Sequence, residues 1–373
     1  MDRAISPLFG VVMMVILTIL LASMFVVALP ELFDLGLAET NAEEVMSGGV
    51  GTESQAAGDD SGSQLLEAAK REIVFTDEQG ALFSLRTDRT IVHYQPPEVE
   101  SSGDWNVEGV GPKKVDFDDD GNREIPYVNG SNYLKLIDEN NETQVLVNDA
   151  RKNLVAVGSW GNGDTIPTWT AVYYAGSSGN RLFRARLDSD GNAQSECIAD
   201  ISTGKFVAVA GVVDYDGDGS TEVVYVYKVD QTAKLGYLTP DGTSDDDVGS
   251  EECDAPSQKH QPIRKIADSN GYGTGEPSDF DGDGTVQAPM LNKSSDPIFE
   301  LVTHDGTAET LTENGTPKKA SIRVADWVDN DEMAVVYVGD GETLYYVTAS
   351  GERVLLTDAD GDPIEADADQ GVA

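Results

Sequence analysis

Four segments of this 373-residue chain align without gaps: VDFDDDGNREIPYV from Val115, VDYDGDGSTEVVYV from Val213, SDFDGDGTVQAPML from Ser278 and ADWVDNDEMAVVYV from Ala325. GSWGNGDTIPTWTAVYY from Gly158 is a weaker relative. After each comes a strand, a turn and another strand, as in YLKLIDENNETQVLV from Tyr133 and LYYVTASGERVLLT from Leu344. Short runs of Val, Ile, Tyr, Phe and Leu broken by Gly, Asn and Asp, recurring roughly every 45 to 65 residues, restrict the chain to repeated small antiparallel sheets. Four strands per repeat is the pattern of a β-propeller. Before the first repeat, EIVFTDEQGALFSLRTDRTIVHY from Glu72 supplies the second, third and fourth strands of a unit without its first. Five full units and one incomplete unit predict an all-β head over residues 64–373, a six-bladed β-propeller. The C-terminal segment PIEADADQGVA is expected to supply the missing strand, so that no sheet edge stays open. A many-stranded β-sandwich is the alternative arrangement.

Three repeats carry D-x-D-x-D-G with an oxygen-bearing side chain at the ninth position: Asp116, Asp118, Asp120 and Glu124; Asp214, Asp216, Asp218 and Glu222; Asp279, Asp281, Asp283 and Gln287. Alternate carboxylates on a tight loop converge on one point, the glycine allows the sharp turn, and hard oxygen donors suit Ca2+. At the seventh position Asn122, Ser220 and Thr285 would each offer a backbone carbonyl. Up to three structural calcium ions are expected, each pinning the turn between the first two strands of a unit and offsetting acid repulsion. The repeats at Gly158 and Ala325 lack this set, with Val328 at the third position and Asn330 at the fifth, and are expected to be metal-free. The loops resemble those of integrin-alpha and FG-GAP type calcium-binding propellers. The elements that name that family are absent, so the resemblance covers the loops alone.

Residues 8–29, LFGVVMMVILTILLASMFVVAL, contain no charge and are long enough to cross a membrane as a helix. Arg3 lies on the short side, whereas Glu31, Asp34, Glu39, Glu43 and Glu44 follow, which places the bulk of the chain outside. The stretch exceeds the apolar region of a secretory signal peptide. Asp2-Arg3-Ala4-Ile5-Ser6-Pro7, followed by Gly10, resembles the N-terminus of archaeal type IV pilins, haloarchaeal ones above all. The resemblance implies a leader, residues 1–4, cut by a prepilin peptidase between Ala4 and Ile5. It also implies a single long hydrophobic α-helix over residues 5–46, held in the membrane before assembly and then packed into a filament with copies of itself or other pilins. Residues 47–63, rich in Gly and Ser, read as a flexible tether. The head is larger than is typical of that family.

Charge narrows the partners. Against 25 Lys and Arg stand 67 Asp and Glu, a net charge of -42. No basic cluster exists to displace counterions, so nucleic acid and anionic lipid headgroups are excluded. The acid excess resembles the surfaces of proteins from extreme halophiles. Cys197 and Cys253, an even pair on the outer side, read as a disulfide. Asn129, Asn141, Asn292 and Asn314 head N-glycosylation sequons. The three histidines, His93, His260 and His304, occupy unrelated contexts, and no nucleophile elbow, zinc helix or phosphate loop occurs. Trp105, Trp160, Trp169 and Trp327 read as packing residues. The expected role is therefore not enzymatic: a cell-surface filament subunit, or its tip, that displays a calcium-stabilised propeller for adhesion or surface contact. The alternatives are an anchored ligand-binding propeller that does not polymerise and a tethered extracellular hydrolase built on a carboxylate pair.

Overall fold

A computed structural model describes residues 72–366 apart from short connecting stretches, the longest being 95–106, 162–169, 241–259 and 312–321. All of them belong to the compact unit Asp60–Ala373. The leader, the apolar stretch, the tether and the cleavage position Ala4–Ile5 lie outside the described residues. Among the described residues every regular element is a strand, and no helix is long and apolar enough to cross a membrane.

The strands form six antiparallel sheets in chain order. The first holds β1 (Glu72–Thr76), β2 (Leu82–Arg86) and β3 (Ile91–Tyr94). The second holds β4 (Val107–Val110), β5 (Ile125–Asn129), β6 (Leu134–Ile137) and β7 (Thr143–Val147). The third holds β8 (Ala156–Gly158), β9 (Ala171–Ala175), β10 (Arg181–Leu187) and β11 (Ala193–Asp200). The fourth holds β12 (Lys205–Val213), β13 (Glu222–Val229), β14 (Thr232–Leu238) and β15 (His260–Ala267). The fifth holds β16 (Tyr272–Thr274), β17 (Ala288–Lys293), β18 (Pro297–Val302) and β19 (Ala308–Leu311). The sixth holds β20 (Ile322–Val328), β21 (Glu332–Val338), β22 (Leu344–Thr348) and β23 (Arg353–Leu355). Within each sheet the strands lie side by side in chain order, each antiparallel to the next.

Each sheet shares one apolar core with the sheet before it and another with the sheet after. Side chains alternate faces along a strand, and β13 shows the consequence. Val223, Tyr225 and Tyr227 pack with Ala171, Tyr173 and Leu182 of the third sheet, while Val224 and Val226 pack with Ala288, Met290 and Val302 of the fifth. Along β21, Val335 and Tyr337 meet Phe299 and Leu301, and Val336 and Val338 meet Ile73, Phe75 and Leu85. The last group belongs to the first sheet, so the succession closes on itself. Burial on both faces explains why these strands read VVYV and AVYY instead of alternating apolar with polar. Fully burying one Val or Leu side chain stabilises by roughly 1.5–3 kcal/mol.

The closure differs from the expected one. Among the described residues the first sheet has three strands, and the C-terminal segment folds back on the sixth sheet. Leu344 N donates to Ile364 O at 2.9 Å, and Ala366 N to Glu342 O at 2.8 Å. Ile364 and Ala366 thereby reach the core shared with Ile73 and Phe75, and Arg89 Nη1 donates to Thr357 Oγ1 at 2.8 Å across the same junction. Two apolar residues separated by Glu365 suit a segment with one face on a core and the other in solvent. Residues 367–373 lie outside the described residues.

Candidate metal centre

Each aspartate loop connects the first and second strands of its sheet, and an antiparallel residue pair closes its base. The pairs are Val115 with Glu124, Val213 with Glu222, and Ser278 with Gln287. Above that base the loops share one set of hydrogen bonds. The first aspartate accepts the glycine nitrogen at position six: Gly121 to Asp116 Oδ2 at 3.0 Å, Gly219 to Asp214 Oδ2 at 3.1 Å, and Gly284 to Asp279 Oδ2 at 3.0 Å. The ninth-position side chain accepts the nitrogen of position two: Phe117 to Glu124 Oε2 at 2.9 Å, Tyr215 to Glu222 Oε2 at 2.8 Å, and Phe280 to Gln287 Oε1 at 2.9 Å. Gly219 and Gly284 sit at φ of 88° and 87°, which only glycine adopts without strain, and this turns the third aspartate back toward the first.

In the fourth-sheet loop, one carboxylate oxygen each from Asp214, Asp216 and Asp218 lies within 4.8 Å of the other two. Asp279, Asp281 and Asp283 form the same group in the fifth sheet. Of the first loop, Asp116 and Glu124 are described, and Asp118 and Asp120 lie outside the described residues. Residues 329–331 of the sixth-sheet connection lie outside them too.

The two complete loops differ at the ninth residue. Glu222 is 0% exposed, and its second oxygen, Oε1, meets no hydrogen-bond donor. Burial first, then the charges of Asp216, Asp218 and Asp214, lifts its carboxyl to about 8, against the opposing bond from the Tyr215 nitrogen. An orphaned buried oxygen beside three convergent carboxylates is costly unless something cationic sits there. Hard, anionic, oxygen-only donors on a tight loop fit a divalent cation such as Ca2+. Gln287, expected as a ligand, is placed otherwise. Its oxygen takes the Phe280 nitrogen while its Nε2 donates to Asp281 Oδ1 at 3.2 Å, so in this arrangement it turns a donor toward Asp281 where Glu222 has a free oxygen. Ser220 N and Thr285 N donate to Asp218 Oδ1 and Asp283 Oδ1, at 2.8 and 2.7 Å, which directs the third aspartate of each loop.

The other expected sites are scattered. Cys197 lies on β11 and is disulfide-bonded; Cys253, the chain's other cysteine, lies outside the described residues. Asn129 is 1% exposed and its Oδ1 accepts from Ser131 N and Tyr133 N, at 3.1 and 2.9 Å. The side chain is thus buried, with its oxygen capping the turn after β5. Asn141 stands in a hairpin turn at φ 64°, Asn292 lies on β17, and Asn314 lies outside the described residues. Trp160 packs in the core shared by the third and fourth sheets.

Two further features of the site were not singled out above, although the first recurs in the aligned repeats as Phe117, Tyr215 and Phe280. The aromatic residue at loop position two enters the core shared with the next sheet: Tyr215 between the fourth and fifth sheets, Phe280 between the fifth and sixth. Thr221 ties the fourth-sheet loop backward, its Oγ1 donating to Ser159 O at 2.6 Å and its N to Gly161 O at 2.9 Å.

No family model matches the chain, and no curated protein matches it. Several solved structures match the chain at low similarity. A protein of unknown function from Bacteroides caccae is 10% identical with a TM-score of 0.41, over 81% of this chain and 97% of that one. AofleA from Arthrobotrys oligospora is 11% identical with a TM-score of 0.45, over 80% and 89%. A quinonprotein alcohol dehydrogenase-like protein from Bacteroides thetaiotaomicron is 15% identical with a TM-score of 0.38, over 80% and 65%. At these identities none of the likenesses bears on activity.

Proposed function

We propose that the chain is a type IV pilin-like surface subunit whose head is a six-bladed β-propeller braced by calcium. Its role is assembly and binding, not turnover. The head presents a broad, acidic surface outside the cell for adhesion or contact, and the N-terminal apolar segment carries it, first in the membrane and then in a filament. Six sheets in chain order, each sharing cores with both neighbours and the sixth with the first, support the propeller. The observation that carries the cation role is the orphaned Oε1 of Glu222 beside Asp214, Asp216 and Asp218. The pilin role rests on Asp2-Arg3-Ala4-Ile5-Ser6-Pro7 and the uncharged run after it.

In this reading the ion does no chemistry. It neutralises carboxylates that would otherwise repel one another and holds the turn between first and second strands in one conformation. No nucleophile or acid-base pair at the loops calls for a reaction. Mass spectrometry of the N-terminal peptide of protein isolated from its own cells tests the assembly half. A mature start at Ile5 places the chain in the prepilin pathway, and an intact start or a cut beyond residue 29 leaves an anchored or released binding protein.

A further inference from the structure

We infer that a cation in the fourth-sheet loop is sensed by the fifth sheet, with Tyr215 as the link between them. The inference rests on the reading of that loop as a cation site and adds where its occupancy is felt. Tyr215 is 1% exposed and makes three separate contacts, two within the fourth sheet and one to the fifth. Its backbone nitrogen donates to Glu222 Oε2 at 2.8 Å, on the same carboxylate whose other oxygen is free to meet the ion. Its ring lies edge-on to Tyr237, with centroids 5.7 Å apart, inside the core that the fourth and fifth sheets share. Its hydroxyl donates to Val302 O at 2.6 Å. Val302 ends β18 and opens the turn to β19, where Gly306 N donates to Thr303 O at 2.9 Å and Thr307 N to Asp305 Oδ1 at 2.8 Å.

Occupancy therefore has a physical route. With the ion present, both oxygens of Glu222 are engaged, one by the ion and one by Tyr215 N, and the tyrosine is fixed at both ends. Without it, Glu222 keeps only the bond from Tyr215 N, its other oxygen has no partner, and the group that positions Tyr215 is held at one end alone. The route is particular to this loop. Phe117 and Phe280 hold the same place in the other two loops and have no hydroxyl to reach a neighbouring strand end.

Hydrogen exchange of the full-length protein, with calcium and with chelator, tests the link in wild type and in Tyr215→Phe. In wild type, calcium is expected to slow exchange in the loop 214–222 and, by at least about threefold, in the turn 303–308 as well. Tyr215→Phe keeps the first effect and loses the second. Protection of the loop with no calcium effect on the turn in wild type overturns the link while leaving the cation site standing. An unchanged turn effect in Tyr215→Phe overturns the role of the hydroxyl. No calcium effect in either region removes the cation site, and the link with it. Should the variant fail to fold, the wild-type pair of measurements still decides whether the turn follows the loop.

Discussion

The fourth-sheet and fifth-sheet loops are built on one backbone, with the same glycine turn, the same pairing at the base and the same three aspartates drawn together. They differ by one atom at the ninth residue. Glu222 leaves a buried oxygen without a donor, whereas Gln287 fills the equivalent place with an NH2 that already serves Asp281. On the proposed reading a cation completes the fourth-sheet loop, whereas the fifth-sheet loop has partly completed itself. Loops alike in sequence thus satisfy the ninth position in different ways. Under the proposed cation role, the Gln287 bond to Asp281 stands where Glu222 would meet the ion, and a lower cation affinity is expected of the fifth-sheet loop.

Asp214→Ala should have the largest effect, because Asp214 accepts from both Gly217 N and Gly219 N besides facing the ion. Without calcium it should cost about 2–3 kcal/mol in chemical denaturation, much as Asp279→Ala does, since hydrogen bonds to charged groups are worth that order. With calcium the Asp214 variant should lose more than its counterpart, and equal losses would argue that both loops bind alike.

Glu222→Gln comes next. It should weaken the calcium Kd of the fourth-sheet loop by at least about tenfold, because the ligand loses both a charge and an oxygen. Its metal-free melting temperature should not fall, since the new amide can donate to Asp216 as Gln287 donates to Asp281. A drop in metal-free stability would show that the carboxylate has a partner of its own. Gln287→Glu is the reciprocal and smaller change. It should raise the calcium-dependent part of the melting temperature and lower metal-free stability by about 1 kcal/mol through the lost bond to Asp281.

Much of this was legible in the sequence. The gapless repeat and the VVYV runs specify strands buried on both faces, and D-x-D-x-D-G specifies loops on which carboxylates converge. The incomplete first unit was visible as well, because EIVFT opens without a preceding strand. What escaped depends on contacts between distant residues. Whether a ninth-position side chain is free or engaged turns on the geometry of its own loop, so Glu222 and Gln287 look interchangeable on paper. The hydroxyl of Tyr215 meets a carbonyl 87 positions away, which no local pattern encodes. The Asn129 triplet satisfies a sequon, yet its place at the end of β5 commits the side chain to capping a turn. The logic of closure places the tail on the open first sheet, whereas hydrogen bonds to Glu342 and Leu344 draw it onto the sixth.

The central claim is that the fourth-sheet loop holds a cation more tightly than the fifth. Calorimetric calcium titration of the full-length protein, compared with Asp216→Ala and Asp281→Ala, tests it most directly, because each substitution removes one binding event. The account predicts that the event lost in Asp216→Ala has a Kd lower by at least about tenfold than the event lost in Asp281→Ala. Equal or reversed affinities, or a titration that neither substitution changes, would contradict it.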